Sequence, residues 1–327
     1  MTFAARPLSS RLSARLLRYT DRGSVVPFIH LGPLSIPTYG LMVAIAMVAS
    51  YYLLRADLAR RGIADPRSPL PEMFIAVPCL AGIIGAKLYH ALQSPRELFA
   101  DPFGQIFSQY GFAWFGGLIA GFAAFVWLAR RHKIPILEML DAGSPAAALG
   151  YGIGRIGCLL SGDGDYGTPT TLPWGMSFPH GLVPTDQRVH PTPIYEFVVA
   201  CLIAWILWRI GARELAARGI APTSASRARA AATSKGIVAP ARYGVVFAFY
   251  LVLTGIARFL VEFIRINPRS FFGLSNAQAA SLASILAGVI LWFYAQHRDA
   301  TAPERVAGVA KDLPPAAPAR HVKSRSQ

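Results

Sequence analysis

The sequence predicts an all-α, polytopic membrane protein with about seven transmembrane helices. Of its 327 residues, 54% are hydrophobic and only 15% are charged, and the mean hydropathy is +0.41. These values lie well on the membrane side of ordinary globular composition. Long apolar segments recur along the chain, each close to the ~20 residues that an α-helix needs to cross a bilayer. Basic residues are concentrated in alternate loops between these segments, which is typical of multi-pass proteins.

The predicted spans are seven apolar segments. In chain order they are Tyr39–Leu54, Met73–Leu92, Gly111–Leu128, Ala142–Leu160, Ile194–Ile210, Tyr243–Ile264 and Ala277–Tyr294. The first is slightly short and the fourth is interrupted by glycines, so the expected number is about seven.

The loop charges predict the orientation. Basic residues follow the first, third and fifth spans, at Arg55, Arg60, Arg61 and Arg67, at Arg130, Arg131 and Lys133, and from Arg209 to Arg242. The positive-inside rule then places the N-terminus outside and the C-terminus in the cytoplasm, so that the loop Asp163–Pro191 faces outward. Five N-terminal arginines between Arg6 and Arg22 oppose this orientation. The loops carry more weight because their alternation is consistent.

The chain is expected to form a single transmembrane domain, residues 39–296. Residues 1–38 are expected to form an N-terminal surface or interfacial segment. The Ala-, Arg- and Ser-rich stretch at about 211–240 is predicted to be a flexible cytoplasmic insertion, and residues 297–327 a disordered cytoplasmic tail.

The net charge of +15 does not indicate nucleic-acid binding. The arginines are scattered over membrane flanks and tails, with no recognised nucleic-acid motif, so attraction to anionic lipid headgroups explains them better. Cys79, Cys158 and Cys201 stand in apolar stretches at spacings that favour neither a disulfide framework nor a metal site. Cys158 is expected to be a small buried apolar residue.

Arg155 is the first candidate for a functional residue. It lies in an apolar run studded with glycines, which opens into the acidic loop Asp163-Gly-Asp165. An arginine at membrane depth costs several kcal/mol unless it has a partner or a polar cavity. Its guanidinium suits a phosphate ligand, whereas the alternative is a structural ion pair with Asp163, Glu196 or Glu262. Glycines such as Gly154 and Gly157 would allow another backbone or a lipid headgroup to approach closely.

Arg258, Glu262 and Arg265 form a second candidate group, on one stripe of the sixth span. The spacing of four places Arg258 and Glu262 on one helix face, and Arg265 follows one heptad after Arg258. Such a stripe predicts a polar cavity within a bundle, in which Arg155 and Arg258 clamp one anion. The alternative is a self-satisfied ion pair at the membrane interface.

Three further side chains are candidates at the ends of spans. His190 precedes the fifth span and can serve as a base, although histidines before a proline are usually only solvated. Glu196 lies in the first turn of that span, where a carboxylate also stabilises the helix N-terminus. Tyr39 begins the first span, where tyrosines commonly form part of the interfacial belt.

The motifs together resemble those of the prolipoprotein diacylglyceryl transferase family, over roughly Ile36 to Tyr294. The matching pieces follow the family's order: Tyr39-Gly-Leu-Met42, Phe115-Gly-Gly-Leu-Ile119, Gly154-Arg-Ile-Gly157 followed by Gly167, His190-Pro-Thr-Pro-Ile-Tyr-Glu196, Arg258-Phe-Leu-Val-Glu-Phe-Ile-Arg265 and Leu274-Ser-Asn-Ala-Gln278. The resemblance implies a seven-span enzyme of the bacterial inner membrane. The implied reaction transfers the diacylglyceryl group of phosphatidylglycerol to the lipobox cysteine thiol of a prolipoprotein, forming a thioether. No metal or organic cofactor is implied.

The resemblance also implies roles for four of these residues. Arg155 matches the family arginine that binds phosphatidylglycerol, Arg258 matches a second essential arginine, and Tyr39 and Glu262 match other functional positions. Together with the candidates argued from the residues themselves, the expected catalytic residues are Arg155, Arg258, Glu262, Asp163, Tyr39 and His190. Those expected to bind phosphatidylglycerol are Arg155, Arg258, Gly154, Gly157, Arg265 and Glu196. The thiol proton is expected to pass to Asp163, Asp165 or His190.

Three departures from the family pattern lie at the site. Phe115 stands where the family usually has a histidine, Cys158 replaces an asparagine, and Asp163-Gly-Asp165 replaces a glutamate. Phe115 favours an alternative in which the chain is a non-catalytic phospholipid-binding paralogue. A solute transporter is disfavoured because the sequence shows no repeated halves.

Overall fold

The computed structural model describes residues 25–32, 34–65, 67–107, 113–217, 243–269 and 272–298. Its helices are α1 Thr38–Arg61, α2 Leu70–Gln93, α3 Pro95–Ala100, α4 Pro102–Phe107, α5 Trp114–Arg131, α6 Ile136–Ser161, α7 Thr192–Ala217, α8 Val245–Val261 and α9 Asn276–Arg298, with a 3₁₀ turn at Glu262–Ile264. Two antiparallel hairpins accompany them, β1 Phe28–Leu31 with β2 Leu34–Pro37, and β3 Met176–Phe178 with β4 Thr185–Val189.

The prediction of a mostly helical, membrane-type fold is confirmed. Among the described residues, five helices are long and apolar enough to cross a membrane: α1, α2, α7, α8 with its 3₁₀ turn, and α9. Helices α5 and α6 match the third and fourth predicted spans in position but are not among these five. Helix α5 ends in two arginines, and α6 carries Asp141 and Arg155. The chain is therefore a multi-pass membrane protein, and the count of seven stays a prediction.

The predicted domain limits are only partly within the described residues. Residues 1–24, 218–242 and 299–327, which hold most of the predicted N-terminal segment, insertion and tail, lie outside them. Helix α7 continues to Ala217, beyond the expected end at Ile210 and into the stretch assigned to a flexible insertion. The β1–β2 hairpin occupies part of the N-terminal segment and leads directly into α1.

The helices that carry the site pack through residues without large side chains. Ser50 on α1 donates to the Ala146 carbonyl on α6 at 3.0 Å, and a Cβ on Gly152 of α6 would lie 2.9 Å from Ala200 Cβ of α7. Close approach of this kind replaces the hydrophobic driving force, which is absent between helices in lipid. The contacts fix α6 between α1 and α7.

Asp141 ties the start of α6 to the start of α8. Its carboxylate, fully buried, accepts hydrogen bonds from the backbone N–H groups of Gly244 and Phe247, both at 2.8 Å. A helix N-terminus leaves such donors without partners and favours negative charge. The opposite ends of α6 and α8 consequently lie near one another, and the candidate site forms there.

Helices α2 and α5 cross at paired glycines. A Cβ on Gly116 would lie 2.3 Å from the Gly85 carbonyl oxygen, whereas one on Gly143 of α6 would meet nothing within 4 Å. Alanine is favoured over glycine within a helix by roughly 0.5–1 kcal/mol. Against this general preference, we expect Gly116→Ala to lower the thermal unfolding temperature in detergent by several degrees, because the backbone of α2 or α5 must move to make room for the added Cβ. The matched Gly143→Ala variant should equal or exceed the wild type; similar losses in both variants would contradict the close crossing.

Candidate active site

The candidate site lies where α6 ends. Gly162 terminates the helix in the left-handed conformation, with φ of 58°, and a Cβ at this position would lie 2.6 Å from Gly181 Cα. Glycine is the usual residue at such a helix end because it adopts positive φ without strain. The chain turns sharply there into the acidic loop, which brings Asp163 and Asp165 back towards Arg155.

Three arginines and three carboxylates form one ionic network at this end of the bundle. Its members are Arg155 of α6, Asp165 of the following loop, Glu196 of α7, Arg258 of α8, and Glu262 and Arg265 at the 3₁₀ turn. The formal charges sum to zero. Charges removed from water need this compensation, since an unpaired buried ion costs several kcal/mol.

Glu196 contacts all three arginines. One carboxylate oxygen, Oε2, lies 2.7 Å from Arg155 Nη2 and 3.4 Å from Arg265 Nη1. The other, Oε1, lies 3.1 Å from Arg258 Nη1 and accepts a 2.7 Å hydrogen bond from the Tyr151 hydroxyl. The two arginines predicted to clamp one anion do converge, and in this structure the group between them is a carboxylate.

The predicted Arg258–Glu262 pair is present in the structure. Arg258 Nη2 lies 2.9 Å from Glu262 Oε2, and Asn267 donates to Glu262 Oε1 at 2.6 Å. The helix tightens into its 3₁₀ turn at Glu262. The Glu262 side chain is almost completely buried, so it holds one edge of the Arg258 guanidinium.

Asp165 bridges Arg155 and Arg265 through its two carboxylate oxygens. The backbone supports this contact, because Gly167 pairs with Arg265 in an isolated β-bridge and Thr168 N–H donates to the Ile264 carbonyl at 2.8 Å. Among the described side chains Arg155 therefore pairs with Asp165 and Glu196. The sequence-based suggestion that Asp163 or Glu262 pairs with Arg155 is not seen.

Asp163 lies beside Cys158 instead. The Cys158 sulfur and one carboxylate oxygen from each of Asp163 and Asp165 all lie within 4.8 Å of one another. Arg155 Nη1 is also 3.3 Å from Cys158 Sγ. This guanidinium already supplies positive charge to the group, which opposes the binding of a metal cation there.

The two loop carboxyls differ in acidity. Burial raises the pKa of Asp163, and the neighbouring charge of Asp165 adds to that effect. Burial alone would also raise the pKa of Asp165, but Arg155 and Arg265 outweigh it and hold that pKa below its ordinary value. Opposite shifts in adjacent carboxyls are a common basis for separate acid–base and electrostatic roles.

The three guanidinium groups differ in exposure and in how completely their N–H groups are hydrogen-bonded. Within the described residues, Arg155 Nε, Arg155 Nη2 and Arg265 Nε are buried without an aligned hydrogen-bond acceptor. Arg155 Nη2 is in ion-pair contact with Glu196, and Arg265 Nε lies 3.9 Å from Glu262 Oε2. The Arg258 side chain is 29% exposed, against 10% for Arg155 and 6% for Arg265. An anion arriving from outside the network would therefore reach Arg258 first.

Tyr39 and the two predicted glycines occupy different surroundings. A Cβ on Gly157 would meet Met42 Cβ at 3.1 Å and Tyr39 Cδ2 at 3.2 Å, whereas one on Gly154 would meet nothing within 4 Å. The space at Gly157 is thus filled by α1, and the space at Gly154 is open. Tyr39 lies on α1 against the turn of α6 that holds Arg155.

His190 and Phe115 lie outside the ionic network. His190 Nδ1 is 3.3 Å from the Tyr195 hydroxyl, which also accepts a hydrogen bond from Trp174 Nε1 at 2.8 Å. Phe115 lies in the first turn of α5 with 63% of its surface exposed. The described network draws its charged groups from α6, its loop, α7 and α8 with its 3₁₀ turn, so α5 contributes none of them.

Two members of the site were missed in the sequence. Tyr151 was not singled out, although it precedes Arg155 by four residues and therefore shares its helix face. Asn267 follows the 3₁₀ turn, and nothing in its local sequence distinguished it from a loop residue. Asp165 was considered only as a base and not as the partner of two arginines.

Fold and site together define a multi-pass membrane protein with a buried arginine–carboxylate centre at one end of its helices. A family model described as prolipoprotein diacylglyceryl transferase matches residues 27–294. The chain belongs to the prolipoprotein diacylglyceryl transferase family.

Individual relatives agree with this assignment. All three of the following are called phosphatidylglycerol–prolipoprotein diacylglyceryl transferase. The protein from Geobacter sulfurreducens is 31% identical over 278 residues, which cover 81% of this chain and 92% of the relative. The protein from Clostridium tetani is 30% identical over 264 residues, which cover 79% of this chain and 93% of the relative. The protein from Synechococcus elongatus is 30% identical over 294 residues, which cover 86% of this chain and 91% of the relative.

The opposite pKa shifts predict opposite effects on stability. The raised pKa of Asp163 means that its ionised form destabilises the fold at neutral pH, and this penalty disappears as pH falls below the unfolded-state pKa. The lowered pKa of Asp165 means that its stabilisation is complete above the unfolded-state pKa and is lost as pH falls through the folded value. We expect Asp163→Asn to raise the thermal unfolding temperature at pH 7 by a few degrees and Asp165→Asn to lower it.

Thermal unfolding in detergent at pH 7 and at pH 4 checks this pair of variants. The two replacements remove the same charge from the same loop, so each serves as the control for the other. Shifts of the same sign at pH 7 would show that the carboxyls do not differ as described.

Proposed function

We propose that the protein transfers the diacylglyceryl group of phosphatidylglycerol to the lipobox cysteine thiol of prolipoproteins, the first step of lipoprotein maturation. The observation that carries the proposal is the convergence of Arg155, Arg258 and Arg265 on one buried point, in a chain of this family. Planar guanidinium groups bind phosphate oxygens in pairs. The names of the relatives supply the lipid and the acceptor.

The reaction needs positive charge at the leaving group. The acceptor sulfur, as thiolate, attacks the glyceryl carbon that is bonded to phosphate oxygen, and a carbon–sulfur bond replaces that carbon–oxygen bond. The electron pair of the broken bond leaves on glycerol phosphate. Arg155 and Arg258 would stabilise the charge that develops there, and fixed donors of this kind commonly contribute about 10²–10³-fold to a rate. No step requires a cofactor.

Asp163 is the best candidate for the group that receives the thiol proton. Its raised pKa brings it closer to that of a useful base. Asp165 is held as an anion by two guanidiniums and is a weaker base. His190 is engaged by Tyr195 outside the ionic network. Phe115, at the position of the usual family histidine, has no group that can accept a proton.

The proposed topology has seven spans, with the N-terminus outside and the C-terminus in the cytoplasm of a bacterial inner membrane. The ends of α1 and α7 meet where a Cβ on Gly211 would contact the Arg60 guanidinium, and this end of the bundle carries the basic loops. The arginine–carboxylate network lies towards the opposite ends of α6 and α8. The site would then face outward, where a translocated signal peptide with its lipobox cysteine can reach it.

A non-catalytic phospholipid-binding paralogue is the second candidate, and Phe115 is the observation that favours it. Complementation of a bacterial strain depleted of its own transferase separates the two, because only an active enzyme restores lipoprotein maturation. Binding of labelled phosphatidylglycerol without rescue would support the paralogue.

Replacement of Arg155 tests the phosphate site. We expect Arg155→Ala to reduce thioether formation from phosphatidylglycerol and a lipobox peptide by ~10²–10³-fold, because a principal guanidinium is removed. Arg209→Ala, which removes an arginine from the end of the bundle where α1 meets α7, is the matched control and should retain full turnover. Full activity in the Arg155 variant would exclude the clamp.

Replacement of Arg258 tests the geometry of binding. Arg258→Lys keeps the charge but cannot contact two acceptors in one plane, so we expect a loss of at least ~10²-fold in kcat/KM. Steady-state kinetics in mixed micelles measures it. Turnover equal to the wild type would show that a point charge is sufficient there.

A further inference from the structure

The Glu196 carboxylate is surrounded by four groups of the protein itself. Tyr151 and Arg258 donate hydrogen bonds to Oε1, and Arg265 donates one to Oε2. Arg155 Nη2 lies in ion-pair contact with Oε2 at 2.7 Å. The Glu196 side chain is only 5% exposed. Direct binding of phosphatidylglycerol by Glu196 stays a prediction, and its contacts with three arginines favour an indirect role.

We propose that Glu196 is a positioning residue, which aligns Arg155 and Arg258 for the lipid phosphate, and that Tyr151 fixes Glu196 in that role. The inference rests on the proposed function and deepens it. A single carboxylate between two guanidiniums sets their separation and tilt before substrate arrives. Such alignment matters most when charge builds up on the leaving phosphate, because the donors then need no reorganisation.

Tyr151 is placed to supply the fourth contact. It lies one helical turn before Arg155 on α6, so a single helix face presents both groups to Glu196 on α7. A hydroxyl donor holds the carboxylate without altering the charge of the network. Without it, Arg258 would be the remaining described partner of Oε1, and the carboxylate plane would be less constrained.

Charge balance gives the inference a distinctive kinetic signature. The three arginines and three carboxylates of the network cancel, so neutralising Glu196 leaves one net positive charge. An anionic lipid is attracted at least as strongly to that centre, while its guanidiniums lose their alignment. A positioning role therefore predicts that kcat falls and that KM for phosphatidylglycerol holds or decreases. A lipid-binding role predicts that KM rises.

The experiment measures diacylglyceryl transfer in mixed micelles for the wild type, Glu196→Gln, Tyr151→Phe and the double variant. We expect kcat to fall ~10²-fold in Glu196→Gln and ~10-fold in Tyr151→Phe, with KM for phosphatidylglycerol within ~2-fold of wild type or lower. Because both changes act through one carboxylate, the double variant should be no slower than Glu196→Gln within ~2-fold.

Tyr51→Phe is the matched control. Tyr51 donates a hydrogen bond of 2.8 Å to Glu72, which also joins two helices, and it lies about three turns along α1 from Tyr39. We expect its kinetics to equal the wild type. All rates are expressed per folded molecule. If Glu196 and Tyr151 served only the stability of the fold, kcat of their variants would equal the wild type, and that result would overturn the inference.

Other outcomes are equally decisive. Independent, multiplicative losses in the two single variants, or a raised KM with kcat preserved, would overturn the positioning role. An inactive wild-type chain would remove the proposed function and this inference together, whereas an active wild type with independent losses removes the inference alone.

Discussion

The mutual neutralisation of three arginines by three carboxylates is the interaction on which the rest of the site depends. A guanidinium within a bilayer-spanning bundle is costly unless it is paired or reaches water. Here the partners come from α6, its following loop, α7 and the end of α8. The elements must therefore meet at one end of the bundle, and the backbone contacts between the acidic loop and the 3₁₀ turn serve this purpose.

The same pairing defines what a substrate phosphate would encounter. Arg258, the most exposed of the three guanidiniums, is fixed by Glu196 and Glu262 from two sides. A phosphodiester would join an arrangement that is already formed, instead of drawing mobile arginines together. Binding energy is then available for charge that develops in the transition state. The disadvantage of this arrangement is that Glu196 and Glu262 would compete with the phosphate for the same guanidinium N–H groups.

The sequence was sufficient for the helical membrane fold and for the pair Arg258–Glu262, because apolar length and a spacing of four are local properties. It also indicated that Arg155 would be functional or paired. It suggested Asp163 as the loop partner of Arg155, whereas the structure has Asp165 there; only the turn at Gly162 determines which carboxylate faces the arginine. The bridge from Asp165 to Arg265 joins residues one hundred positions apart, and no local pattern specifies it.

Other differences have similar causes. The β1–β2 hairpin was not predicted, because its strands have only four residues each and β2 ends in a proline. Gly157 looked open to a headgroup, but α1 packs against it through Met42 and Tyr39. Phe115 departs from the family at a position that contributes no charge to the described network, so the arginine–carboxylate contacts form without a histidine there.

The most direct test of the central claim is one stoichiometric measurement. Purified protein is incubated with phosphatidylglycerol labelled in the diacylglyceryl group and with a lipobox peptide, and both products are quantified by mass spectrometry. We expect one thioether-linked diacylglyceryl group on the cysteine for each glycerol phosphate released. Lipid that remains bound and unchanged, with neither product formed, would contradict the assignment of a transferase centre to these arginines.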